Sequence, residues 1–138
     1  MANAWYPAGK RAFLRGDVRW KFAEGSTIRV LAVDLATYAY STAHATLADV
    51  PPAARVASAV LTLIDPSDAG VIDAQDVSIA MPADAPSCEA LILYAEGSGD
   101  VSSPLLLYID DANGLPTASG SPQVQIAWSD GTNRIARI

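Results

Sequence analysis

Thr27-Ile28-Arg29-Val30-Leu31-Ala32-Val33-Asp34-Leu35 is the stretch from which the fold is read. Ile28, Val30 and Ala32 alternate with Arg29, Leu31 and Val33, a period of two that sends successive side chains to opposite faces of a strand. Both faces are largely apolar, so this strand is expected to be covered on both sides.

Downstream, short apolar runs recur between turn residues. Val56–Ile64 ends at Asp65-Pro66-Ser67-Asp68-Ala69-Gly70; Val71–Asp73 and Val77–Ala80 follow and end at Pro82. Glu89–Glu96 ends at Gly97-Ser98-Gly99-Asp100, and Leu105–Asp110 at Asp111-Ala112-Asn113-Gly114. Gln123–Trp128 and Asn133–Ile138 flank Asp130-Gly131, a pair that tolerates the positive φ angles of a type I′ turn. A C-terminal β-hairpin is therefore predicted, with Ile126 opposite Ile135 and Trp128 opposite Asn133. Short strands spaced by Gly, Pro and Asp turns predict a mainly β fold, an antiparallel sandwich or partly open barrel.

Upstream, residues 6–15 read as a short helix, with Pro7 suited to its first position and Gly16 to the residue past its end. Tyr6 and Phe13, with Leu14 beside them, are assigned to one face, and Arg11 and Arg15 to another. The chain then runs through Trp20 and Phe22 to a turn at Glu24-Gly25-Ser26. Residues 36–55 read as irregular, with one helical turn at Leu47-Ala48-Asp49 before Pro51-Pro52. No repeat or linker divides the chain. Residues 1–138 are expected to form one domain, an N-terminal arm and short helix over 1–25 and a β domain over 26–138.

Apolar residues make up 51% of the chain and charged ones only 17%, which excludes disorder by composition and leaves a weakly charged surface that is easily desolvated. The net charge of −6 is unevenly spread. Residues 1–29 hold six basic against two acidic residues, a balance of +4; residues 30–138 hold three against thirteen, a balance of −10. An acidic body repels phosphate backbones, so no nucleic-acid partner is expected. The basic segment is better suited to an acidic protein surface, such as another copy of this body. Cys88 is the single cysteine, which excludes an intrachain disulfide and a thiolate metal cluster and agrees with synthesis in a reducing cytosol. Lys10, Arg11, Arg15 and Asp17 interrupt any signal-peptide core, and no apolar run approaches the ~20 residues of a membrane span.

Chemistry-bearing patterns are sparse. His44 is the single histidine, no Gly-x-Ser-x-Gly elbow accompanies it, and an exposed or packing role is expected for it. Cys88 has no cationic neighbour in sequence and is expected to be buried as a small apolar residue. Asp65, Asp68, Asp73 and Asp76, and the Asp110-Asp111-Ala112-Asn113-Gly114 turn, offer oxygens for calcium, but the glycine is misplaced for an EF-hand loop and its closing Glu is missing. Asp and Asn also serve turns by bonding their own backbone. No catalytic residue, cofactor or metal is therefore expected, and the protein is not expected to be an enzyme. Aromatics crowd the N-terminal segment instead. Trp5, Tyr6, Trp20 and Phe22, with Tyr38 and Tyr40 and the basic Arg11 and Arg15, form the candidate assembly interface, since aromatics and Arg are enriched in interface hot spots.

The order of segments also carries a resemblance. It runs from Lys10-Arg11-Ala12-Phe13-Leu14-Arg15-Gly16 to Trp20, then Ile28–Leu35 with Tyr38, and Leu47-Ala48-Asp49-Val50-Pro51 into Ala54-Arg55-Val56-Ala57. Gly70-Val71-Ile72-Asp73-Ala74 leads to Asp76-Val77, Glu89-Ala90-Leu91 to Tyr94, and Tyr108-Ile109-Asp110 to Gly114-Leu115-Pro116 and the Trp128 hairpin. In this order the chain resembles small virion structural proteins of tailed bacteriophages, some of which are capsid cement or decoration proteins. Lys21 departs from it, standing after Trp20 where an apolar residue is expected. The resemblance implies a protein of the capsid exterior, made in the bacterial host cytoplasm. Its implied partners are the major capsid protein and further copies of itself, a dimer slightly favoured, with no membrane partner. A neck, tail or fibre component is the nearest alternative, and a calcium- or carbohydrate-binding β module is the alternative from a different class.

Overall fold

The computed structural model describes residues 3–20, 26–64, 71–110, 122–126 and 136–137, and single positions 115, 117, 118, 120 and 128. Its elements are β1 (Ala4–Trp5), helix α1 (Pro7–Arg15), β2 (Ile28–Val33), β3 (Arg55–Val60), β4 (Leu63–Ile64), β5 (Val71–Ala74), β6 (Val77–Ala80), β7 (Ala90–Ala95), β8 (Leu105–Ile109), β9 (Gln123–Ile126) and β10 (Ala136–Arg137). Single 3-10 turns lie at Leu47–Asp49, Pro52–Ala54 and Asp100–Ser102. The fold is mainly β. A five-stranded antiparallel sheet, ordered β1-β8-β7-β2-β3, is not closed into a barrel. Two smaller sheets, β10-β5-β4 and β6-β9, accompany it.

The inner strands β2, β7 and β8 of the large sheet are buried on both faces, as the alternation over residues 28–33 predicts for β2, whereas β1 and β3 at its edges are partly exposed. Ile28, Val30 and Ala32 share one core with Leu91, Leu93 and Leu107. Onto that face pack Leu61 and Leu63, Ile72 of β5, Ile79 of β6, and Val124 and Ile126 of β9, so the smaller sheets form the second layer of a sandwich. Leu31 and Val33 enter a second core with Ile92, Leu105 and Tyr108. Here the cover is not a sheet but the segment read as irregular, which contributes Tyr38, Leu47, Val50 and Ala54, joined by Tyr6. That segment does carry the expected helical turn at Leu47–Asp49.

The predicted strand over Val56–Ile64 is two strands. Leu61 still donates its amide to Ile28, but the Thr62 carbonyl accepts from Gln75 (2.9 Å each), so the chain changes sheets between these residues. The Leu61 and Leu63 side chains nevertheless stay in one core. The chain closes in a C-terminal hairpin whose arms take different partners, β9 lying on β6 and β10 on β5. The register proposed within that hairpin, and its Asp130-Gly131 turn, fall outside the described residues, as do the turns at 65–70 and 111–114 and Glu24-Gly25.

Helix α1 begins and ends where its sequence predicts. Pro7 occupies the first turn, and Gly16 adopts φ 78°, letting its amide and that of Asp17 return to the carbonyls of Phe13 and Ala12. What positions the helix is less visible in the sequence. β1 pairs Ala4 with Tyr108 and Trp5 with Leu107, and the Tyr6 amide donates to the Leu106 carbonyl at 2.9 Å. The ladder between β7 and β8 shifts register at Leu93/Tyr94, which places the extra residue Leu106 at the point where the chain leaves β1 for α1.

Candidate assembly surface

The interior side of α1 is built from small residues. Gly9 and Ala12 are buried, which lets the helix lie directly on the β8 backbone. Phe13 is half-buried against the Trp5 ring, edge to face at a centroid distance of 5.8 Å. The outward stripe is Lys10, Arg11, Leu14 and Arg15, all exposed, with Leu14 84% accessible. Among the described residues, ion pairs join Arg29 to Glu96 (3.4 Å) and Arg55 to Asp100 (2.9 Å), whereas Lys10, Arg11 and Arg15 hold no carboxylate. A fixed helix thus displays three cations around an exposed leucine on a protein whose remaining residues are strongly acidic.

Several residues expected at an interface are core residues instead. Tyr6 is fully buried, and Trp20 and Tyr38 nearly so. The Trp20 indole N–H donates to the Asp73 carbonyl at 2.7 Å, tying the arm to β5. Tyr40 is half-buried, its ring between those of Tyr6 (5.0 Å) and Tyr108 (5.2 Å), and its hydroxyl donates to the Trp5 carbonyl at 2.9 Å. The physical reason is area: each aromatic ring removes a large apolar surface from water, and the second face of the sheet needs a cover. Of the candidate set, Arg11 and Arg15 stand exposed, Trp5 and Tyr40 are partly so, and Phe22 lies outside the described residues. The grouping of Leu14 with Tyr6 and Phe13 is also corrected. Leu14 shares the stripe of Lys10 and Arg11, four and three residues away, and that spacing was the available signal.

The tyrosine cluster brings hydroxyl groups into the second core. Tyr6 Oη and Tyr38 Oη are 2.7 Å apart, and Tyr38 Oη is 2.9 Å from His44 Nδ1. His44 is half-buried, its ring tilted against that of Tyr38 at 5.3 Å. Burial raises the hydroxyl pKa of Tyr6, and the bond to Tyr38 raises it further; burial likewise raises those of Tyr38 and Tyr108. These phenols stay protonated and act as hydrogen-bond groups rather than as bases.

Cys88 is fully buried, with its Sγ 3.3 Å from the Ala90 carbonyl, and burial pushes its thiol pKa up. Asp73 is buried and accepts from the Ala74 amide; Asp76 accepts from the Trp128 amide. Asp65, Asp68, Asp111, Asn113 and Gly114 lie outside the described residues. Among the described residues, no three His, Cys, Asp or Glu side chains are grouped to hold a metal ion, and no helix is long and apolar enough to cross a membrane. A groove of about 270 Å³ between β6 and β9, lined by Asp76, Val77, Ser78, Gln125 and Ile126, is open to solvent. No protein-family model matches the chain, and no curated protein matches it.

Proposed function

We propose that this protein is a capsid cement protein that docks on the assembled major capsid shell of a tailed phage and stabilises it against internal DNA pressure. The single observation that carries the docking part is the stripe on α1: Lys10, Arg11 and Arg15 flank the exposed Leu14 on a helix fixed to β8. Such a stripe suits an acidic surface with an apolar centre, and mounting the helix on a sheet removes the ordering cost of binding. The resemblance in segment order supplies the biology. The mechanism is mass action, because a ligand that binds only the assembled shell stabilises that shell, and many symmetry-related copies multiply a modest contact energy. The role asks for no catalytic residue, cofactor, metal or nucleic-acid contact.

The test uses particles made without the protein. They should form, then release DNA on heating or osmotic shock, and recombinant protein should restore them. A chain carrying K10E, R11E and R15E should fold and fail to restore them. Particles equally robust without the protein but lacking tails would move it to the neck or tail. Restoration by the charge-reversed chain would move the interface away from α1.

A further inference from the structure

The hydroxyl chain from Tyr6 through Tyr38 to His44 has a direction, and the imidazole sets it. Tyr6 is fully buried, and among the described residues its hydroxyl oxygen is partnered by Tyr38 Oη at 2.7 Å. Tyr38 Oη in turn meets His44 Nδ1 at 2.9 Å. When Nδ1 carries no proton, Tyr38 donates to it and Tyr6 donates to Tyr38, so every hydrogen in the chain has an acceptor. When Nδ1 is protonated it donates to Tyr38 Oη, and the chain then holds one hydrogen more than it can pair: either Tyr38 donates to Tyr6 and the Tyr6 hydrogen loses its acceptor among the described residues, or Tyr6 still donates to Tyr38 and the Tyr38 hydrogen loses its own.

From this geometry we infer that the segment 36–54, which covers the second face of the large sheet, is a proton-sensitive clasp. Neutral His44, with its hydrogen on Nε2, closes it; protonation of His44 leaves one tyrosine hydroxyl without an acceptor and loosens it. Among the described residues the charged group coupled to the ring is Asp49, on the same segment, and the other titratable groups of the cluster are Tyr6, Tyr38, Tyr40 and Tyr108, the last bonded to Asp110. The Asp49 carboxylate favours the imidazolium and so opposes the effect. It is exposed and already accepts the Ala45 and Thr46 amides, and solvent screens its reach. An orphaned donor in a closed core outweighs a screened attraction. The inference does not depend on the capsid role.

The test compares the full-length wild-type chain with His44→Gln and Tyr38→Phe, each melted in denaturant at pH 8 and at pH 5.5. The wild type should lose roughly tenfold more of its folding equilibrium constant between these pH values than H44Q does. Y38F should be less stable at both values but show the same flattened pH response as H44Q. Imidazole nitrogen NMR of the wild type at pH 8 should place the hydrogen on Nε2. A hydrogen on Nδ1 at pH 8 would overturn the inference, and so would equal pH responses in wild type and H44Q. If H44Q does not fold, the tautomer and the Y38F comparison decide.

Discussion

Gly9 faces the β8 backbone so closely that a Cβ added to it would stand 2.6 Å from the Leu105 carbonyl oxygen and 2.7 Å from the Leu106 Cα. Two effects then compete in Gly9→Ala. Alanine favours a helix over glycine by about 1 kcal/mol, but overlap with backbone that cannot swing aside costs about 1–3 kcal/mol. The variant should therefore be net less stable, by about 1 kcal/mol, with a lower denaturant midpoint and an unchanged slope. Equal or greater stability would show that α1 can lift off the sheet without cost.

Arg55 fastens the covering segment to the 3-10 turn at 100–102. Its Nε donates to the Val50 carbonyl (2.9 Å), one Nη to the Leu47 carbonyl (2.7 Å), and the other to Asp100 (2.9 Å). Lysine keeps the charge but loses the fork. Arg55→Lys should cost about 1.5–3 kcal/mol, whereas Asp100→Ala, removing an exposed partner, should cost less than about 1 kcal/mol. Urea unfolding of the two variants side by side gives the order, and a larger loss in D100A would contradict it.

Removing residues 1–8 deletes β1 and Tyr6, both integral to the large sheet and its second core. The truncated chain is expected to lose cooperative unfolding or several kcal/mol of stability, on the order of 3–5 for the Tyr6 ring alone. Near-ultraviolet circular dichroism is a direct readout, since the tyrosine cluster would lose its fixed packing. A truncated chain with native spectra would return these aromatics to the surface.

Asp49 predicts an acid-range effect. The Ala45 and Thr46 amides donate to its Oδ2 (2.7 and 3.1 Å) and hold its carboxyl below the usual aspartate range. A depressed folded value means the stabilisation is present above the unfolded range, near pH 4, and is lost as pH falls through the folded value. Asp49→Asn should cost about 0.5–1 kcal/mol at pH 7 and much less in strong acid. Melting curves across pH 2–7 measure the difference, and a constant gap would rule out the charge as its source.

The parts of the fold legible from the sequence are those with a local cause. The two-sided strand at 28–33 announces itself by alternation, and α1 by Pro7 and Gly16. Other features are decided by distant partners. β1 is two residues long and exists because β8 offers an edge. The sheet change at Leu61-Thr62 is hidden, because the run 56–64 stays apolar across it. The covering segment has no period to detect; its anchors Tyr38, Leu47, Val50 and Ala54 are spaced irregularly because they meet a flat sheet rather than a helix groove. Of the candidate surface residues, the charged Arg11 and Arg15 are left exposed by the fold, but aromatic content does not distinguish a hot spot from a core, and Tyr6, Trp20 and Tyr38 went to the core.

The pairing of β1 with β8 also sets a schedule for biosynthesis. Ala4 and Trp5 leave the ribosome before their partners Leu107 and Tyr108, which follow ~100 residues later, about 5–20 s at ordinary elongation rates. For that interval Tyr6 has no core to enter, and the small-residue side of α1 has no strand to lie on. Closing so long a loop is entropically slow, so this segment stays unpaired until β8 has been made. Lys10, Arg11 and Arg15 lie in that same segment, so the charge displayed by the finished helix is carried by a part of the chain that waits for β8.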